Sequence, residues 1–231
     1  MNLLAIETST ECCSAALLCG ERLIARSELA PRRHAALLLP MCEGLLAEAG
    51  LSRRALDGIA VGRGPGAFTG VRLAVAAAQG LALALDVPVV PVSSLAALAL
   101  QAPQNGAAVL AAIDARMGEV YAGCFTQAGH GLAAAAPEWV GVAAALELPD
   151  GGAWNVIGSG WATYPAELRQ RLPAAPLWAA GERFPQATEV ARLAAPRLAA
   201  GEGLDPAAAL PVYLRDKVAL TLDEQRAARA P

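Results

Sequence analysis

The chain has 231 residues, of which 55% are hydrophobic, 17% are charged and only 4% are aromatic. Its formal net charge of −3 excludes a protein that binds nucleic acid through its own cationic field, so contact with RNA would need a partner protein. Five cysteines without a CxxC spacing, an N-terminus without a basic leader and no uncharged apolar run of membrane-spanning length predict a reduced, soluble, cytoplasmic protein without a membrane segment.

The first part of the chain alternates strand and helix patterns. The predicted elements, in chain order, are strands at 3–7, 12–18 and 22–28, a helix at 34–49, a strand at 58–61, a helix at 69–85, a strand at 87–92 and a helix at 94–101. Gly50 follows the first helix, where a left-handed residue commonly ends a helix. The order predicts an α/β fold in which crossover helices connect parallel strands.

The opening pattern returns after a polar linker at 102–106. Ala112-Ile113-Asp114 repeats Ala5-Ile6-Glu7, and each triplet ends a strand that is followed by another strand. The repeat predicts a duplicated fold with a first lobe at 1–102 and a smaller second lobe at 103–231, whose last segment packs back on the first. A match of three residues also arises by chance, so the residues alone leave the duplication open.

The loop VGRGPGAFTG resembles a phosphate-binding loop in its glycine content. Gly62, Gly64 and Gly66 would let backbone N–H groups approach a phosphate, and Thr69 is predicted to cap the following helix. However, no lysine completes a Walker A motif, and Ala67 stands where the dinucleotide pattern requires glycine. The residues alone favour a tight strand-to-helix connection over a phosphate site.

A nucleotide cleft is a second interpretation, and it needs residues from both halves. Glu7 and Asp114 each end a strand, and Gly158 and Gly160 form another glycine loop. Carboxylates at strand ends can hold magnesium through water, although any one of them is more typical of an exposed loop. Glu7 and Glu11 lie across a turn, and we expect both carboxylates to be solvated.

Catalytic chemistry has little support in the sequence. The two histidines, His34 and His130, lie far apart, and Leu38 occupies the position one turn after His34 where a metal-binding pair would need a second histidine. No G-x-S-x-G elbow is present either. We therefore predict neither a metal site nor a catalytic residue.

The two long helices are more apolar than a single sheet can cover. Between Val71 and Leu85 only Arg72 and Gln79 are polar. We predict a protein-docking surface on both helices, formed by His34, Leu38, Met41, Leu45, Val71, Ala74, Val75 and Ala78. A charge at Leu38 or Val75 is expected to separate the partners and to leave the chain folded. Coverage of both helices by the second lobe is the alternative.

Four segments together resemble the TsaB (YeaZ) family of bacterial tRNA-modification proteins. They are LLAIETSTECCSAAL, VGRGPGAFTGVRLAVAAAQGLA, AIDARMGEVYAG and PVYLRDKVA. The resemblance extends from the N-terminus to about Ala219 and is densest before Tyr121. It implies the duplicated two-lobe fold of the actin, Hsp70 and sugar-kinase superfamily (ASKHA), with a reduced second lobe.

The resemblance also implies a non-catalytic scaffold subunit in the synthesis of threonylcarbamoyladenosine, beside the anticodon of tRNA. Its implied partners are the transferase TsaD in a heterodimer, the ATPase TsaE in a ternary complex, and a second copy in isolation; tRNA is contacted only through the complex. No cofactor is implied, although weak ATP or ADP binding at the glycine loops stays open. The family usually carries aspartate where this chain has Glu7, which weakens the case for ATP hydrolysis.

Two other functions stay open at this stage. One is an independent ATP-dependent phosphotransferase of the same superfamily. The other is a metallopeptidase, against which the missing metal ligands count heavily.

Overall fold

The structure is a computed structural model that describes residues 1–128 and 131–215. Two mixed β-sheets are built from strands that the sequence makes apolar. The first sheet contains β1 (Asn2–Glu7), β2 (Cys12–Cys19), β3 (Arg22–Leu29), β4 (Gly58–Gly62) and β5 (Val89–Val92). Its order is β3-β2-β1-β4-β5, with antiparallel pairing on the β2 side of β1 and parallel pairing on the β4 side.

The second sheet repeats this topology. It contains β6 (Ala108–Arg116), β7 (Glu119–Ala128), β8 (Gly131–Ala134), β9 (Trp139–Val142), β10 (Trp154–Ile157) and β11 (Trp178–Ala180). The order β8-β7-β6-β10-β11, with β9 added on β7, reproduces the first sheet strand for strand and in direction. The predicted duplicated α/β fold is therefore confirmed.

Helices cover both faces of the first sheet because its central strand is buried on both sides. The helices are α1 (His34–Ala49), α2 (Phe68–Leu85), α3 (Ser94–Ala99), α4 (Ser159–Thr163), α5 (Pro165–Arg171) and α6 (Ala187–Ala199). On one face α1 and α2 share an apolar core with β1 and β2, and α6 packs on the opposite face. We call the first sheet with α1, α2 and α6 the first lobe, and the second sheet with α4 and α5 the second lobe. Between the two sheets lies α3, whose leucines pack on β6.

The end of the described chain lies against the first lobe. After α6, Leu204 forms a bridge with Val89, and the Gln79 side chain donates to the carbonyl of Ala209 over 3.1 Å. The range 103–231 that the sequence assigns to the second lobe thus contains a helix and a segment that pack on the first sheet.

The predicted helix cap at Thr69 is wrong, although the helix itself begins within one residue of its predicted start. The residue that caps α2 is Ala67, and Thr69 is an exposed residue in the first turn whose side chain makes no cap. The helix begins earlier because the N–H of Ala67 is donated to the carbonyl of Ser9 over 2.7 Å, and Val71 then donates back to Ala67. Other predicted bounds agree with the structure to within two residues.

Candidate functional site

A cleft between the lobes is the first candidate site. It encloses a cavity of about 240 Å³. The cavity is lined by the β1–β2 turn, the loop before α2, the end of β6 and residues 212–215. The duplicated topology brings the ends of β1 and β6 to this cleft, as the sequence predicts from their matching triplets.

Glu7 is fully buried beside the cleft and does not line it. Its carboxylate accepts hydrogen bonds from the N–H of Ser9 (2.6 Å) and the hydroxyl of Ser94 (2.7 Å). Burial raises the pKa of Glu7, because the charged form loses its hydration, and the hydrogen bonds only partly oppose this. The prediction of a solvated Glu7 is wrong: the missing side chain of Gly62 leaves a space that the longer glutamate fills.

The glycines of the first loop are used for close packing. A Cβ at Gly66 or Gly70 would overlap the carbonyl oxygens of Ser9 or Thr8, and one at Gly64 (φ 92°) would press on Val212. These positions require glycine because the loop lies directly on the β1–β2 turn. The interpretation as a tight strand-to-helix connection accounts for them.

The glycines of the second loop are also used for close packing. Gly158 has a φ of 112°, and a Cβ there or at Gly160 would overlap the backbone of Ala112. Asp114, the counterpart of Glu7 in the repeat, lines the cleft but is held by Arg116, which donates to it through its backbone N–H (2.8 Å) and its guanidinium (2.9 Å).

The cleft and the two glycine loops beside it do not fit a nucleoside triphosphate. The cavity is smaller than the roughly 300–1,000 Å³ of sites for ligands of that size. The predicted magnesium carboxylates are also engaged, Glu7 with two serines and Asp114 with Arg116.

No cluster of three or more His, Cys, Asp and Glu side chains in residues 1–128 and 131–215 could hold a metal ion. His34 is half-buried at the start of α1. His130 lies outside the described residues.

The outer surface of α1 and α2 is the second candidate site, and it differs from the predicted set. Seven of the predicted docking residues are inside the chain's own core: Leu38, Met41, Leu45, Val71, Ala74, Val75 and Ala78. Six of them pack against the first sheet in one apolar core, and the seventh, Val71, is buried where α2 borders the cleft. Their burial corrects the prediction, because a partner could reach them only by unfolding the lobe.

Other residues of the same helices stay uncovered. We call them the outer face: Ala36, Leu39 and Pro40 on α1, and Ala76, Gly80, Leu83 and Ala84 on α2. Leu39 is 49% exposed and Leu83 is 64% exposed. From Leu73 to Leu85, α2 carries no charged side chain, and its polar Gln79 is turned to Ala209. Exposed apolar surface of this kind is characteristic of protein–protein contacts.

Gly80 is a feature of the outer face that the fold of the chain itself does not explain. A Cβ at this position would meet no atom of the described chain within 4 Å, so the fold does not require glycine here. Glycine inside a helix costs about 0.5–1 kcal/mol relative to alanine. Ala76, Gly80 and Ala84 are spaced by four residues, which aligns three small side chains on one stripe. Such a stripe lets a second helix approach closely.

By length and composition, α2 is the one described helix that could cross a membrane. Six of its residues are nevertheless buried, and four of them belong to the core of the first lobe. A core helix of a water-soluble protein has the same composition.

Sequence reasoning missed two groups of residues. The first is Ser94, whose hydroxyl donates a hydrogen bond to Glu7. The sequence feature that could have identified it is the predicted helix start at residue 94, which places a hydroxyl near a strand end. Tyr213 and Arg215 connect the last described segment to both lobes, and the sequence alone gave them no role.

The chain resembles characterised proteins over most of its length. Residues 25–219 match the family model described as TsaD, tRNA N6-adenosine threonylcarbamoyltransferase. The tRNA threonylcarbamoyladenosine biosynthesis protein TsaB of Escherichia coli K12 is 39% identical over 232 residues, which cover 95% of this chain and 96% of the relative. TsaB of Haemophilus influenzae is 50% identical over 123 residues, 52% of either chain. The solved structure of YeaZ from Pseudomonas aeruginosa is 45% identical with a TM-score of 0.85, covering 92% of this chain and 99% of that one.

Proposed function

Since the chain belongs to the TsaB (YeaZ) family of tRNA threonylcarbamoyladenosine biosynthesis proteins, we propose that it is a non-catalytic scaffold subunit of the threonylcarbamoyl transferase complex. In this proposal it pairs with a TsaD-type transferase, recruits the ATPase TsaE to that pair, and needs no cofactor of its own. It acts in the cytoplasm and reaches tRNA only through the complex.

The outer face of α1 and α2 carries the proposal. It is apolar, uncovered by the described chain and interrupted by a glycine that the fold does not need. Burial of a leucine side chain is worth about 1.5–3 kcal/mol, so the uncovered Leu39 and Leu83 alone favour association.

A TsaD-type partner fits this surface because the two proteins share a fold. The family model that matches residues 25–219 is that of TsaD, so a transferase of that family has helices equivalent to α1 and α2. A helix pair that meets its own copy across a two-fold axis can meet such a relative in the same geometry. The exposed leucines of the outer face also support a homodimer of the isolated chain, because two copies can bury them against each other.

The cleft supports the absence of catalysis by this subunit. Glu7 is buried and does not line the cavity, Asp114 is paired with Arg116, and the cavity is small. The net charge of −3 supports indirect contact with tRNA, since a protein that holds the phosphate backbone alone needs cationic residues in excess.

The alternative, an independent phosphotransferase, would need room for ATP and magnesium in this cleft. It predicts ATP turnover by the isolated chain. No observation in the described residues favours it over the scaffold.

The experiment is reconstitution of the modification with purified proteins. We expect no threonylcarbamoyladenosine from this chain alone, and full activity when TsaD, TsaE, tRNA and threonylcarbamoyl-adenylate are supplied together. Leu83→Arg should abolish co-purification with TsaD and the activity, because a buried unpaired charge costs several kcal/mol. The matched control is Leu177→Arg in the second lobe, where the leucine is 62% exposed and lies off the outer face. Equal pairing by the two variants, with both folded by circular dichroism, would refute the docking surface.

A further inference from the structure

The last described segment, residues 211–215, crosses the mouth of the cleft between the lobes, and we call it the strap. It begins on the first lobe, where the N–H of Val212 donates to the carbonyl of Arg63 over 2.9 Å. It ends on the second lobe at Arg215. Four of its residues line the cavity.

Tyr213 attaches the strap to α2. The Arg72 side chain donates to the Tyr213 hydroxyl over 2.6 Å. The Arg72 guanidinium also stacks on the ring of Phe68, 3.4 Å from its centroid, and lies 5.3 Å from the centroid of the Tyr213 ring. The two aromatic centroids are 5.7 Å apart. Stacking on the Phe68 ring orients the guanidinium, and its hydrogen bond to the hydroxyl then attaches Tyr213 to the first lobe.

Arg215 attaches the strap to the second lobe. Its guanidinium donates to the carbonyl of Ala115 over 3.0 Å and forms an ion pair with Glu119. The Arg215 side chain is only 18% exposed, so salt screens this pair less than an open surface pair. Ala115 and Glu119 belong to β6 and β7 of the second lobe, whereas Tyr213 contacts Arg72 of α2 in the first lobe.

Two further contacts join the lobes at the sides of the strap. Arg116 forms an ion pair with Glu11, and Glu138 accepts from Ser93 and from Arg63. The Arg116 side chain is 70% exposed, so its pair contributes little in water. The Arg63 and Glu138 side chains are 27% and 15% exposed, so this pair is about as enclosed as that of Arg215 with Glu119. The strap is therefore one of two enclosed polar connections between the lobes, and it is the one that lines the cleft.

We propose that the strap is an intramolecular clamp that holds the two lobes in one orientation. It occupies the mouth of the cleft, where a bound ligand would otherwise bring the lobes together. Two-lobed proteins commonly close when a ligand contacts both lobes. Here residues of the chain itself contact both lobes. The clamp concerns the isolated chain and does not depend on the identity of its partner.

Hydrogen exchange followed by mass spectrometry tests the clamp in the full chain. The variant is Tyr213→Ala combined with Arg215→Ala, and the readout is the exchange of peptides that contain the amides of Ala67 and Arg116, which donate hydrogen bonds at the two walls. We expect exchange at least about tenfold faster there, with peptides of β4 and α1 unchanged, because local opening frees only the walls. The matched control is Leu210→Ala with Arg183→Ala, both exposed residues outside the strap, which should exchange at the original rates.

A conservative double variant tests whether the ring of residue 213 and the cation of residue 215 are what hold the lobes. Tyr213→Phe with Arg215→Lys retains one ring and one cation, and we expect its exchange at the walls to stay within about threefold of the original chain. Unchanged exchange in the double alanine variant would overturn the clamp. A uniform acceleration that includes β4 and α1 would overturn it too, because it would show a loss of global stability and no release of the lobes.

Discussion

Replacement of Gly80 tests the docking surface with the least disturbance of the fold. The position is exposed in the second half of α2, and a new side chain there meets open space in the isolated chain. Gly80→Ala should stabilise the monomer by about 0.5–1 kcal/mol, because alanine loses less backbone entropy in a helix. For a chain of this size the melting temperature should then rise by roughly 2–4 °C per kcal/mol.

Pairing should respond in the opposite direction. If a partner helix lies against the stripe of Ala76, Gly80 and Ala84, then Gly80→Leu overfills a close contact. Overpacking costs about 1–3 kcal/mol, and a loss of that size weakens association by about 5- to 150-fold. A variant with a more stable helix and a weaker complex is what separates a docking role of Gly80 from a folding role.

The assay is titration calorimetry of each variant against purified TsaD, with thermal unfolding measured at dilute protein so that pairing does not contribute. The matched control is Gly152→Leu, since Gly152 is also an exposed glycine with open space around its Cβ position but lies in the second lobe. If Gly80→Leu bound TsaD as tightly as Gly152→Leu does, the stripe would not contact the partner and the reasoning would be wrong.

Four further predictions concern buried groups. Leu38→Ala should lower the free energy of unfolding by about 2–5 kcal/mol in denaturant melts, because Leu38 is 1% exposed in the core; by the same reasoning Val75→Glu should unfold the chain, contrary to its predicted tolerance. Glu7→Gln should gain stability relative to the original chain as the pH rises above about 4.5. Because the pKa of Glu7 is raised in the folded chain, its protonated carboxyl group contributes fully to stability below the pKa of the unfolded chain. That contribution is lost as the pH rises through the folded pKa. A pH series of melts in which the two chains keep a constant difference would contradict this. Burial raises the pKa of the Cys42 thiol to about 12, so iodoacetamide at pH 8 should leave Cys42 unmodified until the chain is denatured.

The sequence predicted the elements of the first lobe well because they depend on local pattern, whereas a repeat of three residues suggested the duplication but left it open. The apolar strand at residues 3–7 and the helix at 34–49 follow from periodicity and from Gly50, which the structure places in a left-handed conformation. The triplets that end at Glu7 and Asp114 mark corresponding central strands of two sheets with the same topology. The apolar excess of α1 and α2 also indicated, from composition alone, that these helices exceed what one sheet covers.

Local pattern could not assign the inner and outer faces of these helices. Nearly every position of α2 is apolar, so periodicity does not distinguish Val75, which packs on the sheet, from Leu83, which stays exposed. That choice depends on where the sheet and the segment around Ala209 lie, which is a tertiary property. The predicted docking residues were wrong for this reason, although the predicted helices bear the exposed surface.

The environment of Glu7 was likewise decided by tertiary structure. In sequence it is an acid after a strand and close to a turn, which favours solvation. In the fold, Gly62 and Ser94 come from distant parts of the chain and provide the space and the donor that bury it. Residue type and periodicity determine which segments become strands and helices, because those forces act between near neighbours. Which side chains are enclosed, and which face is left for a partner, is determined only when distant segments pack together.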